Sequence, residues 1–400
     1  MNHPELLVVA FGATLLIAVL LSALAARSVL STAPIFLLVG ALIGPAALGL
    51  LNLSPQQGSG VIVVLADVAL FVVLFTDGQR LRLSNLRSAW RLPGHALLFG
   101  MPLTAAAIGL LAWGLTDLGW ATALLVGAVL SPTDPVFASA IVKNQAMPRR
   151  LRHLLNVESG LNDGLALPIV VVLIAVAGGR EVHPLILVAE LVGGLALGIV
   201  LPLLILQLLR VRGVAATEGL RPLGPLAVGM ILYGIAHIAH VNPYLAAFAA
   251  GSTLGTLNPV ATDAFERFGN LLGEVGKFAA LLAFGALLTP SLFATPGIGG
   301  YAVAVLALIA ARPIAFLVAG LWRRLPKWEF AAAAWFGPKG FASVVYGLYV
   351  LQSGLPQRQE AFAVVAVSIV LSIAAHSSSD VPIARFLARG EREEEQPEAA

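Results

Sequence analysis

The sequence predicts an all-α polytopic membrane protein of about 13 transmembrane helices, built as inverted six-helix repeats with two broken, crossing helices. Three observations carry this. Hydrophobic residues make up 58% of the 400 and charged residues 11%, at a mean hydropathy of +0.91, whereas a soluble domain is about 25% charged. Continuous apolar runs of membrane-spanning length recur along the whole chain. Basic residues gather in alternate connections between those runs, as they do at cytoplasmic helix ends. This composition excludes a water-soluble enzyme and, despite a pI of 9.4, a nucleic-acid binder. With no cysteine, disulfides, thiol catalysis and thiolate metal sites are excluded as well.

The apolar segments fall at 6–26, 33–51, 60–77, 93–115, 118–142, 154–177, 182–209, 223–240, 242–257, 270–289, 297–322, 329–352 and 360–379. The runs do not alternate, which argues against a barrel. The first lacks a basic leader and reads as a retained span, with no cleavable signal. The third ends in Phe75-Thr76-Asp77-Gly78, an acid at a helix end. The fifth is interrupted by Ser131-Pro132-Thr133-Asp134-Pro135, where two prolines remove backbone donors. The sixth carries Asn156-Val157-Glu158-Ser159-Gly160-Leu161-Asn162-Asp163-Gly164. In the eighth, His237 and His240 read as interfacial; in the tenth, Glu274 and Lys277 read as a structural i,i+3 pair, and Asp67 and Glu190 also read as structural. The eleventh contains Ala311-Arg312-Pro313, and the twelfth is interrupted by Gly337-Pro338-Lys339-Gly340. The tail Glu391–Ala400, with five glutamates, reads as a disordered cytoplasmic end.

Of the 24 Lys and Arg residues, 19 follow odd-numbered segments, and only Arg180 and Arg358 follow even-numbered ones. Lys277, Arg312 and Lys339 lie inside segments. This asymmetry places the N-terminus outside and the C-terminus in the cytoplasm of a multi-pass cell (inner) membrane protein.

Segments five and twelve run in opposite directions and continue alike after their breaks, as Phe137-Ala138-Ser139 and Phe341-Ala342-Ser343. Paired Pro/Gly interruptions in two halves point to a transport site at the crossing. There, Asp134 suits facing half-helix N-termini and Lys339 facing C-termini. Two acids within segment six are expensive, at roughly 2.5–3.5 kcal/mol each. Glu158 shares a helix face with Asn162, and Ser159 with Asp163. The resulting oxygen-rich surface suits a monovalent cation and lacks the ligand number of a calcium cage. The alternative is a structural polar network. A carboxylate withdrawn from water holds its proton more tightly, and a bound cation opposes that, so proton and cation compete for one group. Competition plus alternating access suffices for exchange, and no phosphate-binding loop for ATP is present. Arg312 is the candidate partner of Glu158.

Together Ser131-Pro132-Thr133-Asp134-Pro135, Glu158-Ser159-Gly160-Leu161-Asn162-Asp163, Ala311-Arg312-Pro313 and Gly337-Pro338-Lys339-Gly340 resemble the NhaP-type sodium/proton antiporters of the monovalent cation:proton antiporter superfamily, over essentially all spans. The resemblance implies the inverted-repeat NhaA-like antiporter fold and a homodimer in lipid, with no enzyme activity, cofactor or nucleic-acid partner. It divides the chain into interface helices 1–3 (residues 1–92), core helices 4–6 (93–180), linking helix 7 with interface helices 8–10 (181–290), core helices 11–13 (291–380) and an acidic tail (381–400). Carried over by motif, Asp163 is the ion- and proton-binding acid. Thr133 and Ser159 are its fellow Na⁺ ligands, and the Glu158–Arg312 pair holds Asn162. The Asn162-Asp163 pairing implies electroneutral exchange, one Na⁺ (or Li⁺) per proton. Asp77 stands where relatives often have Glu, and Lys339 where they often have Arg. K⁺/H⁺ exchange, organic-anion symport, an intramembrane enzyme and a channel are the competing readings; the dense acidic stripe disfavours the symporter, and no nucleophile–base arrangement supports the enzyme.

Overall fold

The computed structural model describes residues 4–25, 33–50, 59–80, 91–134, 147–179, 184–208 and 217–394. Among these residues every regular element is helical. In chain order they are α1 (Pro4–Ala25), α2 (Ala33–Ile43), α3 (Ser59–Arg80), α4 (Arg91–Leu115), α5 (Trp120–Leu130), α6 (Arg149–Ala177), α7 (Pro184–Leu208), α8 (Leu223–Ile238), α9 (Pro243–Leu257), α10 (Pro259–Ala286), α11 (Pro290–Ala294), α12 (Gly297–Val318), α13 (Lys327–Trp335), α14 (Phe341–Gln352) and α15 (Arg358–Glu394). Each apolar segment coincides with one of these helices, except that segments five and twelve are interrupted. Segment twelve is divided into α13 and α14 by an unwound stretch. Segment five leaves the helix after Leu130, and the part expected to continue it, with Phe137-Ala138-Ser139, lies outside the described residues. So do the connections holding Arg27, Arg82, Arg87, Lys143, Arg180, Arg210 and Arg212.

Three boundaries differ from expectation. α2 ends at Ile43, and residues 44–50 form turns where the segment was expected to run on to 51. α10 begins at Pro259, well before residue 270, because Asn258 caps it, its side chain accepting from the Ala261 N–H at 3.3 Å. Its polar first turns are amphipathic, burying Thr262, Phe265, Gly269 and Gly273 while Asp263, Glu266 and Arg267 face outward. α15 continues to Glu394, so the first acidic residues of the tail are helical and not disordered. The Ala-, Arg-, Leu- and Glu-rich stretch after Pro382 consists largely of strong helix formers. Residues 395–400 lie outside the described part.

The helices pack as two sets. α2, α3, α7, α9 and α10 form one, with α3 against both α9 and α10; α4, α5, α6, α12, α14 and α15 form the other. Small residues let the backbones approach where apolar side chains alone give no preference for one neighbour over lipid. A side chain at Gly251 of α9 would collide with the Phe75 carbonyl of α3, and one at Gly285 of α10 with the Leu37 carbonyl of α2. The sets meet where α3 touches α6 and α14, and where α10 touches α14. A polar cluster around Tyr349 crosses between them. Asp67 of α3 accepts hydrogen bonds from Tyr233 of α8, at 2.6 Å, and from Tyr349 of α14. Because the Tyr349 proton is committed to Asp67, Tyr244 of α9 donates to the Tyr349 oxygen.

Gly251→Leu is expected to force α3 and α9 apart, costing about 1–3 kcal/mol or more. Thermal unfolding in detergent checks this: the melting temperature falls, whereas Gly12→Leu, on a stretch of α1 open around that glycine, leaves it nearly unchanged.

Candidate functional site

The two breaks in the helices meet. α5 ends at Leu130, and Ser131, Thr133 and Asp134 follow as unwound but buried chain, 3%, 4% and 8% exposed. Opposite them, Phe336–Gly340 separate α13 from α14. The Asp134 N–H donates to the Pro338 carbonyl at 2.9 Å, and the Phe341 N–H donates to Asp134 Oδ2 at 3.0 Å. Asp134 thus sits at the N-terminus of α14, where a carboxylate meets both a free N–H and the positive end of the helix dipole. A side chain at Gly340 would collide with Asp134, so only glycine permits this approach. Ser343 Oγ, one turn into α14, donates to the Val129 carbonyl at 2.8 Å.

The negative end of α13 is met differently from expectation. The Ala333 carbonyl accepts from Arg312 Nε at 3.0 Å, and the Trp335 carbonyl lies 3.0 Å from His376 Nε2. The other ring nitrogen of His376 lies 2.9 Å from the Ser372 carbonyl, and Ser372 Oγ accepts from the Lys339 N–H at 2.7 Å. One turn of α15 therefore holds the unwound strand at both ends. Sequence reasoning passed over His376, and the signal was modest: a histidine amid the run Ser377-Ser378-Ser379 late in an apolar segment. Lys339 lies beyond the end of α13, and its buried ammonium shares the electrostatic field of Arg312 and Glu158.

Glu158 and Arg312 form the predicted ion pair. It is bidentate, Nη1 to Oε1 at 2.6 Å and Nη2 to Oε2 at 2.8 Å, with both residues 3% exposed or less. A π-helical turn at Ala307–Ala311, just before Pro313, sets Arg312, and its guanidinium carbon lies 4.2 Å from the Phe316 ring centroid. The pair does not hold Asn162. The guanidinium is directed at Glu158 and the Ala333 carbonyl, and Asn162 turns instead to the first break. Its Nδ2 donates to Thr133 Oγ1 at 2.8 Å and to the Thr133 carbonyl at 3.2 Å. This orients Asn162 Oδ1 as a buried acceptor with no hydrogen-bond partner among the described residues. A buried oxygen without a partner is expensive unless a ligand or proton meets it.

Asp163 follows Asn162 on α6, one turn beyond the buried Ser159. The residue is partly exposed, and its backbone carbonyl accepts from Tyr346 Oη of α14 at 2.6 Å. Asp134, Asp77 and Lys277 stand near enough to Asp163 to share its electrostatic surroundings. Asp77 of α3 therefore belongs to the same electrostatic cluster. It also accepts a long 3.4 Å hydrogen bond from Arg80. Lys277 of α10, read from sequence as the partner of Glu274, belongs to the cluster as well; its spacing from Glu274 on one helix hid which neighbouring helices it faces.

Residues 12–385 match the family model described as sodium/hydrogen exchanger, transmembrane. The K(+)/H(+) antiporter NhaP2 of Shewanella oneidensis is 27% identical over 384 residues, covering 92% of this chain and 65% of that protein. The Na(+)/H(+) antiporter NhaP of Pseudomonas aeruginosa is 26% identical over 347 residues, covering 80% of each. This chain thus spans about two thirds of the length of the first of these relatives. Its fold matches the structure of the sodium proton antiporter MjNhaP1 from Methanocaldococcus jannaschii with TM-score 0.81 and 18% identity, over 96% of this chain and 99% of that one.

Arg312→Met leaves Glu158 charged and buried, a change expected to cost about 3–5 kcal/mol. In the double variant Arg312→Met/Glu158→Leu most of that loss is recovered. Melting temperatures of the two singles and the double form the cycle; a double variant as unstable as the sum of the singles would contradict it.

Proposed function

The chain belongs to the sodium/hydrogen exchanger family, and from that premise we propose that it is a secondary antiporter exchanging Na⁺ (or Li⁺) for H⁺ by alternating access. The observation that carries this is the constellation at the crossing. Asp163 is a partly exposed acidic residue beside an unwound chain, and Asn162 presents a buried oxygen without a hydrogen-bond partner among the described residues. Thr133, Ser159 and Asp163 are the proposed cation ligands, with Asn162 held in place by Thr133. A proton and a cation compete for Asp163, so each crossing of the loaded site carries one or the other, and a full cycle exchanges them. Glu158 and Arg312 neutralise each other and leave Asp163 as the charge that loading changes.

Asp134 fastens the first break to α14, so the two breaks travel as one body. In the proposed cycle that body, the set containing α4–α6 and α12–α15, slides against the set containing α2, α3, α9 and α10. The exchange is proposed to be electroneutral, in a homodimer of the cell's inner membrane, with the N-terminus outside and the C-terminus cytoplasmic. A cycle of this kind contributes to pH homeostasis. A second reading keeps the mechanism and replaces Na⁺ with K⁺. It is favoured by the relatives from Shewanella oneidensis and Alkalimonas amylolytica, which are named K(+)/H(+) antiporters.

Reconstituted in liposomes with a proton gradient, the protein is expected to release that gradient on addition of Na⁺. Asp163→Ala abolishes the response, and retained exchange would remove Asp163 from the site. A selectivity series of Li⁺, Na⁺, K⁺ and Rb⁺, with and without an ionophore clamping voltage, separates the two readings and gives the stoichiometry. Competition also fixes a sign with pH. The apparent KM for the cation rises as pH falls, approaching tenfold per pH unit below the pKa of the competing carboxylate. A KM independent of pH would exclude a shared site.

A further inference from the structure

Lys277 stands in the middle of α10, the helix that packs on α2 and α3. Close contact fixes its placement: a side chain at Gly276 would run into Ala69 of α3, which holds this turn of α10 hard against its neighbour. From there the ammonium reaches toward the crossing, with Nζ 6.0 Å from the ring centroid of Phe341. Phe341 is the first residue of α14, and its N–H is the one bound by Asp134. Asp134, Asp77 and Asp163 all act on this ammonium, with Arg80 as the opposing like charge. Three helix systems thus bring carboxylates to one lysine. Two of the acids, Asp134 and Asp163, belong to the set that carries the broken helices, while the lysine is anchored in the other set.

A cluster of acids at membrane depth with no counter-charge is costly. An ammonium on a flexible four-carbon stem is itself a monovalent cation, compact and strongly hydrated like the ions such a site takes. We propose that Lys277 is a tethered competitor of the transported cation: it offsets the acidic cluster while Asp163 is unloaded, and so sets the affinity with which the site takes up a free cation. Because it is anchored across the boundary between the helix sets, its hold on Asp163 depends on where the broken-helix body stands. Lys277 here is a positioning residue acting through Asp163, and the inference rests on the antiport reading above.

The test compares Lys277→Met and Lys277→Gln, which remove the charge, with Lys277→Arg, which keeps it. At one fixed pH, in proteoliposomes, the two neutral variants are expected to lower the apparent KM for Na⁺ (or K⁺) by about threefold or more, the size of a single partly screened charge interaction. Lys277→Arg is expected to stay within about twofold of wild type. An unchanged or raised KM in the neutral variants overturns the proposal. So does an equal shift in all three, which would signify packing alone, and so does failure of all three to fold. Melting temperature against cation concentration gives a second readout. Should the wild-type protein exchange no monovalent cation, the antiport reading fails. Lys277 is then judged by melting alone: stabilisation of Lys277→Met at several-fold lower Na⁺ than wild type supports its role, and equal stabilisation, or none, overturns it.

Discussion

Unwound backbone inside a membrane has no water to bond to, and that constraint organises this molecule. Each break exposes donors and acceptors that only protein can satisfy. Asp134 binds the unwound stretch at Pro338 through its backbone and the first residue of α14 through its side chain, so the two interruptions become a single joined object. Arg312 and the Ser372–His376 turn hold the opposite side of that object. Remove these contacts and the cost is several orphaned backbone groups in a low-dielectric interior, not one lost hydrogen bond. The site has its shape because its backbone has nowhere else to go.

The charges then divide into two kinds. Glu158 and Arg312 form a closed, bidentate pair whose members are spent on each other and on Ala333. Such a pair adds little net stability against an apolar substitute, yet it is expensive to open. It therefore acts as a fixed strut beside the crossing. Asp163, Asp77 and Lys277 are the open kind, partly exposed and coupled electrostatically. Groups of this kind can change partner or proton during a cycle. One member of each kind stands on α6, Glu158 and Asp163 five positions apart, which lets one helix be both rigid and chemically responsive.

Much of this was legible from residue order. The apolar segments anticipated the helices, because a lipid-facing helix must be apolar over its whole length. The breaks were visible as Pro and Gly within apolar runs. The Glu158–Arg312 pair was legible because each charge was costly where it stood and each needed an opposite partner. Where the reading fell short, the reason was local. Asn162 was assigned to the ion pair and turns instead to Thr133, since hydrogen-bond donors are allotted by direction and not by type. α10 begins at Pro259 because an Asn cap and a narrow buried stripe can sustain a helix that hydropathy averaging misses. His376 and Lys277 were undervalued because their partners lie on other helices.

By itself the sequence determined the class of molecule, its helical segments, the places where two of them must break and the acids that make α6 unusual. Those are properties of runs and spacings, which the periodicity of a helix and the thickness of a membrane convert directly into structure. Tertiary structure alone decided which group meets which: Asp134 on the N-terminus of α14, Asn162 on Thr133, His376 on the end of α13, and Lys277 facing acids from three helix systems. Those pairings depend on how helices distant in the chain are rotated against one another. That rotation is set by close contacts such as Gly251 on Phe75 and Gly276 on Ala69, which no single segment encodes.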